Sequence, residues 1–377
     1  MHIVFLTNEY PKKNVSHGGI GSFVQFLSEK LVTKGHLVSV VGVDNEHKDI
    51  NEEINGVRIY RIKKSTAKFA KFVFNSKRIN DTLIEINIVD SIDIVEGSEL
   101  SFAFLPKKAS YKKVIRMHGG HHFFAIELNK KPLFWRGFQE KQSFKKADAF
   151  IAVSNYVGNQ TKKYLNIDFK FDTIYNSVDE NKFLIKENLP IQKYSLLFVG
   201  TICEKKGIRQ LVQAIPFIKE KFPNVELKII GREWKFTNGK SYTEYLKTFI
   251  HNEDIDNINI VGVVPHDSIP QYIQQSEICV YPSHMEAMPI AWLEGLIMAK
   301  PVIASDIGPG NEAIVNGVTG LLINPFLPID IAEKIIELFS NPERAINLGK
   351  KAREDVLQKF NSEKIVQENI NFYTSLI

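Results

Sequence analysis

The stretch that decides the fold is YPSHMEAMPIAWLEGLIMAKPVIASDIGPGNE, residues 281–312. Its residues 290–299 predict one helix, and Pro289 stands at the start, where its missing N–H costs nothing. Glu286 lies in the loop before this helix and Glu294 more than one turn inside it. A helix N-terminus attracts anions, whereas carboxylates accept hydrogen bonds from sugar hydroxyls. The combination predicts a ligand with both characters, such as a nucleotide sugar.

Length and composition limit the classes of protein to which the chain can belong. At 377 residues the chain is too long for one typical core, so we expect two domains. It has 44% hydrophobic and 24% charged residues, as soluble globular proteins do. No apolar run approaches the ~20 residues that span a bilayer, and the N-terminus lacks the features of a signal peptide. Cys203 and Cys279 have no metal-ligand spacing, so we expect no disulfide framework and a cytoplasmic location.

Short β-branched or aromatic runs alternate with helical patterns, which predicts an α/β protein with parallel sheets. The strand candidates are residues 2–7, 36–43, 57–62, 92–96, 113–118, 149–154 and 172–176 in the first half, and 194–200, 225–231, 258–262, 278–283, 301–305 and 320–324 in the second. Helices are expected from Ile20 to Lys34 and from Ile208 to Lys221. Each half therefore predicts a doubly wound, Rossmann-like sheet, with a hinge near 181–195.

The two glutamates, eight positions apart between the strands ICVYPS and PVIAS, resemble the Glu-x7-Glu signature of the retaining glycosyltransferases of family 4. The resemblance implies a GT-B fold, with two Rossmann-like domains facing each other across a cleft. Residues 1–185 with the C-terminal helix 361–377 would bind the acceptor, and residues 186–360 would bind the nucleotide-sugar donor. In the family, the first glutamate lies against the donor sugar and the second holds the nucleotide ribose.

Two further segments match the family's donor site. The glycine-rich turn HGGIGSF, residues 17–23, would offer backbone donors to the diphosphate. In FVGTICEKKG, residues 198–207, Lys206 matches the family's diphosphate-binding lysine, but Thr201 stands where an arginine is usual. Either Lys205, Arg209 or Arg232 compensates for the missing cation, or the affinity for the donor is lower. The donor-binding residues implied by the resemblance are Gly18, Gly19, Gly21, Thr201, Lys206, Arg232, Glu286, Ala287, Met288, Pro289, Ile290 and Glu294.

The strand end MHGGHHFF, residues 117–124, adds a histidine to the expected site. His118 matches the family histidine near the transferred sugar, where a neutral imidazole can hydrogen-bond a hydroxyl. With Glu286 and Lys206 it completes the catalytic set that the resemblance implies. Glu96 and Glu99 end another strand and are candidates for contact with the acceptor. His121 and His122 have no supporting carboxylate cluster, so we expect neither a metal nor another cofactor.

Charge is unevenly distributed along the chain. Residues 1–185 contain 28 Lys+Arg and 20 Asp+Glu, a net charge of +8, whereas the remainder has a net charge of −3. The asymmetry is greatest in residues 61–80, with seven basic residues, no acidic ones and three phenylalanines. This mixture suits an anionic membrane surface or lipid-linked acceptor, so we expect peripheral contact at the inner membrane face. The alternative is a solvated helix with a buried phenylalanine edge.

The sequence thus predicts a retaining hexosyltransferase that moves a sugar from a nucleoside diphosphate, UDP rather than GDP, to a hydroxyl of a growing bacterial surface glycan or lipid-linked acceptor. We expect no nucleic-acid partner. Two alternatives stay open: another enzyme of the same fold, either a nucleotide-sugar 2-epimerase or a phosphorylase, and a catalytically silent scaffold subunit. A phosphorylase would need a pyridoxal-bearing lysine, which nothing in the sequence marks.

Overall fold

The computed structural model describes residues 1–12, 18–45, 47–67, 71–186 and 189–377. The chain divides into two compact units. The first unit contains Met1–Asn176 together with Glu363–Ile377, and the second contains Ser177–Ser362. The description below takes each unit by itself.

The first unit contains an eight-stranded sheet in the order β3-β4-β2-β1-β5-β6-β7-β8. Its strands are β1 His2–Leu6, β2 Leu37–Asp44, β3 Ile50–Ile54, β4 Val57–Lys63, β5 Ile94–Gly97, β6 Lys112–Met117, β7 Ala149–Ala152 and β8 Asp172–Thr173. All neighbours pair in parallel except the edge strand β3, which runs antiparallel to β4. The α/β prediction with parallel sheets is confirmed, but β3 was not predicted. It forms a hairpin whose turn is Asn55-Gly56, with φ of 51° and 78°, the conformation that an Asn-Gly turn favours.

The helices of the first unit follow the predicted alternation. They are α1 Gly19–Thr33, α2 Lys71–Val89, α3 His121–Glu127, α4 Phe134–Phe144, α5 Asn155–Leu165 and, at the end of the chain, α13 Ser362–Thr374, of which all but Ser362 belongs to this unit. Helix α1 buries Phe23, Leu27 and Leu31 against the sheet, and burial of each such side chain contributes about 2 kcal/mol. Gly35, with φ of 82°, follows its end, as a helix terminator should.

The second unit contains a six-stranded parallel sheet in the order β11-β10-β9-β12-β13-β14. Its strands are β9 Ser195–Val199, β10 Glu226–Ile230, β11 Ile258–Gly262, β12 Ile278–Tyr281, β13 Val302–Ser305 and β14 Leu321–Ile323. Its helices are α6 Ile208–Lys219, α7 Tyr242–Lys247, α8 Ile269–Gln275, α9 Ile290–Ile297, α10 Gly310–Ala313, α11 Pro328–Phe339 and α12 Pro342–Lys359. Because neighbouring strands are parallel, the loops after β9, β10, β11 and β12 leave the sheet at the same edge. This carboxyl edge of the second unit holds the candidate site.

Helix α13 is fixed to the first unit by a buried polar network. The Arg116 guanidinium donates to both carboxylate oxygens of Glu96, at 2.7 and 3.0 Å, and also to Asn369 of α13. The Tyr373 hydroxyl donates to Glu96 at 2.6 Å. Glu96 is 3% exposed and both of its oxygens are occupied. We therefore correct the expectation that Glu96 contacts the acceptor, because its carboxylate instead neutralises a buried arginine and anchors the C-terminal helix.

Candidate functional site

The loop after β9 turns sharply so that Lys206 reaches the carboxyl edge. A short 3-10 helix, Glu204–Lys206, ends at Gly207, whose φ is 67°. A Cβ atom at Gly207 would lie 1.7 Å from the carbonyl oxygen of Pro282. Only glycine combines this left-handed conformation with such a close approach. The Lys-Gly pair of the sequence thus fixes both the turn and the position of the lysine beside the loop that follows β12.

Lys206 and Glu286 form an ion pair within this edge. The Lys206 ammonium donates to the Glu286 carboxylate, and the two side chains are 21% and 12% exposed. The His284 N–H also donates to the carbonyl of Lys205 at 2.8 Å, so the loops after β9 and β12 are joined at two points. The pair leaves a cation and a carboxylate together at one partly open position, where they can contact a ligand with phosphate and hydroxyl groups.

Helix α9 begins where the sequence predicts. Pro289 occupies the N-cap with φ of −79° and ψ of 121°, and Ile290 is the first helical residue. Ala287 and Met288, which precede it, have buried apolar side chains. Glu286, paired with Lys206, precedes the N-terminus of α9, where the positive end of the helix dipole lies. Helix α9 therefore begins at the predicted position, and anion binding at its start stays a prediction.

Glu294 lies inside α9 and has a partner that the sequence did not suggest. It is 5% exposed, and its Oε1 lies 3.2 Å from Nε2 of His266, a histidine of the loop after β11. The sequence signal for His266 was only its place shortly after a predicted strand, at the shared carboxyl edge. Contact with an imidazole orients the carboxylate and leaves Oε2 able to accept a hydrogen bond from a ribose hydroxyl.

The cations expected to replace the missing arginine have different surroundings. Thr201 is half-buried in the loop after β9. Arg209 donates to Glu204 at 2.7 Å and lies 5.4 Å from the Phe249 ring centroid, so its guanidinium is already engaged. Arg232 is exposed, and its carbonyl accepts from the Ile202 N–H at 2.9 Å. The geometry therefore favours Arg232 over Arg209 as a compensating cation, because its backbone pairs with the Thr201 loop.

In the first unit, His118 directly follows β6 and lies beside α1. Its ring centroid lies 5.3 Å from that of Phe23, and the Arg116 guanidinium lies 4.8 Å from the same Phe23 ring. Burial among these neighbours, with a smaller contribution from the positive charge of Arg116, lowers the pKa of His118 to about 3. The imidazole is therefore neutral at physiological pH, as a hydrogen-bonding role toward a sugar hydroxyl requires.

The glycines at the start of α1 serve close packing more than backbone freedom. A Cβ at Gly21 would lie 2.1 Å from the carbonyl oxygen of Glu9, and one at Gly18 would lie 2.6 Å from the Glu9 carboxylate, whereas Gly19 faces open space. None of the three has a positive φ. His17, the first residue of the motif, lies outside the described residues.

Glu99 and Glu140 form a buried acidic pair in the first unit. Gly120 lies between them: a Cβ there would lie 1.8 Å from Oε1 of Glu140 and 3.0 Å from Cβ of Glu99. Burial, and then the nearby charge of Glu140, raise the pKa of Glu99 to about 8. Glu140 accepts from the His122 backbone N–H at 2.9 Å and contacts Nδ1 of the same residue. His122 thus has a structural partner.

The described part of the chain has neither a metal-binding cluster nor a membrane-spanning helix. No group of three or more His, Cys, Asp or Glu side chains there could hold a metal ion. Among the helices of the same residues, none is both long enough and apolar enough to cross a membrane.

Two family models match the chain. The model described as "Glycosyl transferases group 1" matches residues 179–355, and the model described as "Glycosyltransferase Family 4" matches residues 17–182. The chain is 30% identical to the uncharacterized glycosyltransferase MJ1178 of Methanocaldococcus jannaschii, over 81% of this chain and 82% of that protein.

Solved structures show the same fold. Sucrose-phosphate synthase from Thermosynechococcus elongatus superposes with a TM-score of 0.84 at 20% identity, covering 100% of this chain and 98% of that one. Anabaena HepE, solved in complex with UDP and glucose, superposes with a TM-score of 0.79 at 15% identity and covers 100% of both chains. The family models and the relative from Methanocaldococcus show the family, and the two solved structures show the fold. The chain belongs to the family 4 glycosyltransferases and has the GT-B fold.

Proposed function

We propose that this protein is a retaining hexosyltransferase. In the proposed reaction, a sugar passes from a nucleoside diphosphate, UDP in preference to GDP, to a hydroxyl of a growing bacterial surface glycan or of a lipid-linked acceptor. The observation that best supports the proposal is the Lys206–Glu286 ion pair at the N-terminus of α9, with Glu294 one turn further along the same helix. The choice of UDP is supported by the fold shared with HepE, which was solved with UDP and glucose.

Each member of the second-unit site has a distinct proposed role. Lys206 and the α9 N-terminus stabilise the negative charge that grows on the departing diphosphate, which is the largest contribution that a protein makes to such a transfer. Glu286 holds the Lys206 ammonium in place and accepts a hydrogen bond from the donor sugar. Glu294, oriented by His266, accepts hydrogen bonds from the ribose. In the first unit, we retain His118 as a neutral hydrogen-bonding partner of the substrate and Glu99 as a candidate for acceptor contact.

The proposed step is a front-side displacement. The bond between the anomeric carbon and the phosphate oxygen breaks, and a bond to the acceptor oxygen forms on the same face of the sugar. The acceptor proton passes to the departing phosphate, so no protein nucleophile is consumed. The protein contributes mainly positioning and charge stabilisation. We also propose that fixed cations replace a divalent ion, so turnover should be unchanged by a chelator.

A thermal-shift panel of UDP, GDP and ADP tests the choice of donor. A ligand at 100 times its Kd stabilises the folded state by about 2.7 kcal/mol, so UDP should raise the Tm more than GDP or ADP does. Donor turnover with and without added acceptor then separates transfer from epimerisation, which needs no acceptor, and from a silent scaffold, which has no turnover. An unchanged Tm with all three nucleotides would contradict the proposed donor site.

A further inference from the structure

Aromatic side chains from three separate segments of the first unit meet at its surface. Phe72 of α2 lies 6.3 Å from Phe104 and 6.1 Å from Trp135 of α4, measured between ring centroids. Trp135 also stacks on Phe138 at 5.6 Å. Of these four, Phe72, Trp135 and Phe138 are exposed, as is Phe134, which is 88% exposed. Soluble proteins rarely leave such a contiguous aromatic group in water without a partner.

The polarity of α4 is inverted relative to that of an ordinary surface helix. Its buried residues include Gln139, Glu140 and Ser143, whereas its exposed residues include Phe134, Trp135 and Phe138. A water-facing helix places its polar residues outward and its apolar residues toward the core. The outward face of α4 is therefore suited to an apolar or interfacial environment. We call the exposed residues Phe72, Phe134, Trp135 and Phe138 the aromatic patch.

The segments that contribute to the aromatic patch carry charge of a single sign. The three segments that contribute to it, 71–78, 104–113 and 128–139, contain ten basic residues and no acidic ones. Those that are exposed are Lys71, Lys77, Lys107, Lys108, Lys112, Lys130, Lys131 and Arg136. Among the described residues, none of these eight is ion-paired with a carboxylate.

The patch differs from the basic segment 61–80 that the sequence singles out. Arg61 is buried and donates to Glu52 at 2.6 Å, and Arg78 is paired with Asp49 at 2.5 Å, so both support the fold. Lys68 lies outside the described residues. Phe72 and Phe74 are exposed, contrary to the alternative of a buried phenylalanine edge. The start of α2 therefore contributes to the surface, whereas the strand before it does not.

We propose that the aromatic patch and its surrounding lysines form a docking surface for an anionic phospholipid bilayer. Tryptophan and phenylalanine favour the interfacial region of a bilayer, and lysine and arginine are attracted to anionic headgroups. A protein partner fits less well, because lysine is depleted at protein interfaces, whereas seven of the eight exposed cations of these segments are lysines. The proposal is independent of the donor chemistry proposed above.

Vesicle sedimentation without substrate tests the proposal. We compare neutral phosphatidylcholine vesicles with vesicles that contain phosphatidylglycerol as well. The wild-type protein should bind the anionic vesicles at least tenfold more tightly, and binding should weaken as salt screens the charges over about 8 Å at physiological ionic strength. Equal binding to both vesicles, or no binding at low salt, would overturn the proposal.

Two pairs of variants locate the surface. Phe134→Ser with Trp135→Ser should lower binding at least tenfold, whereas Ile88→Ser with Val89→Ser, at the far end of α2 and 78% exposed at both positions, should leave it unchanged. Replacing Lys130, Lys131 and Arg136 by glutamine should have the same effect as the aromatic variant. Replacing Lys221, Lys350 and Lys351, exposed in the second unit, removes the same charge and should have little effect. Loss of binding in the control variants alone, or in all variants equally, would refute this location.

Tryptophan fluorescence gives a second measurement that does not depend on sedimentation. Trp292 is buried and Trp234 can be replaced by phenylalanine, so the remaining exposed tryptophan is Trp135. Its emission should shift to the blue and be quenched by brominated lipid when anionic vesicles are added. An emission that stays unchanged while the protein sediments with vesicles would show that another surface binds. In either case the Tm increase with UDP tests the donor site separately.

Discussion

The ion pair between Lys206 and Glu286 predicts that two substitutions change nucleotide affinity in opposite directions. Glu286→Gln keeps the size of the side chain but removes the charge that Lys206 contacts, so the freed ammonium should bind a diphosphate more tightly. Lys206→Ala removes the cation and should weaken UDP binding. Both should lower turnover, because the first loses the sugar contact and the second loses stabilisation of the leaving group.

The size of these effects follows from the partial burial of the pair. Exposed ion pairs contribute up to about 1 kcal/mol, and breaking a buried one costs about 3–5 kcal/mol. With side chains that are 21% and 12% exposed, Lys206 and Glu286 fall between these limits. We expect a change of about 1.4 kcal/mol in the free energy of UDP binding for each variant, which is about tenfold in Kd. The loss in turnover for Lys206→Ala should exceed about tenfold.

Calorimetric titration with UDP and steady-state turnover, on the wild type, both single variants and the double variant, measure this coupling. Lys219→Ala is the matched control, because Lys219 forms a similarly half-buried pair with Asp254 at 3.1 Å elsewhere in the second unit. The double variant should bind UDP about as Lys206→Ala does, since Glu286 then has no cation to neutralise. Additive effects of the two substitutions, or weaker UDP binding by Glu286→Gln, would refute the proposed division of roles.

Three further predictions follow from single positions. Glu294→Ala should weaken UDP binding by about 1–3 kcal/mol and have a smaller effect on turnover. His266→Ala removes only the ring that orients the carboxylate, so it should weaken UDP binding less than Glu294→Ala does. Equal UDP affinity of Glu294→Ala and the wild type in calorimetry would contradict the ribose contact. Gly207→Ala should lower the free energy of unfolding, measured in urea, by more than about 2 kcal/mol. Gly239, with φ of 80° and nothing within 4 Å of an added Cβ, is the control, and Gly239→Ala should lose only the about 1–2 kcal/mol that the left-handed conformation costs. Similar losses in the two variants would mean that contact with the Pro282 carbonyl adds nothing to the cost at Gly207. Glu99→Gln should become more stable relative to the wild type as pH rises from 5 to 9, because a carboxyl whose folded pKa is raised to about 8 destabilises the fold once it must ionise; parallel stability curves would mean that its pKa is not raised.

Local sequence patterns were sufficient to predict most of the fold. The proline, the two glutamates and the flanking strands located α9 and its loop, because helix starts and strand ends have residue preferences that operate over a few positions. The strand β3 was missed although Asn55-Gly56 marks its hairpin, since its residues Ile50–Ile54 are mostly polar and exposed. That omission was avoidable, because the turn signal was present in the sequence.

Contacts between residues that are far apart in the sequence could not be predicted from it. Nothing near Glu96 indicates that its partner is Arg116, or that Tyr373, 277 positions along the chain, completes the network. For the same reason the contact between His266 and Glu294, 28 positions apart, had no local signal. Such pairs are set by how parallel strands and helices pack, so a charged residue at a strand end can serve either a ligand or the core.

Retention of configuration is tested most directly by a proton NMR time course of sugar transfer from a UDP-hexose. We expect the first product to keep the α-anomeric configuration of the donor, and Glu286→Gln to form it at least tenfold more slowly while still binding UDP. A β-configured first product, or an unchanged rate for Glu286→Gln, would contradict a retaining transfer centred on the Lys206–Glu286 pair.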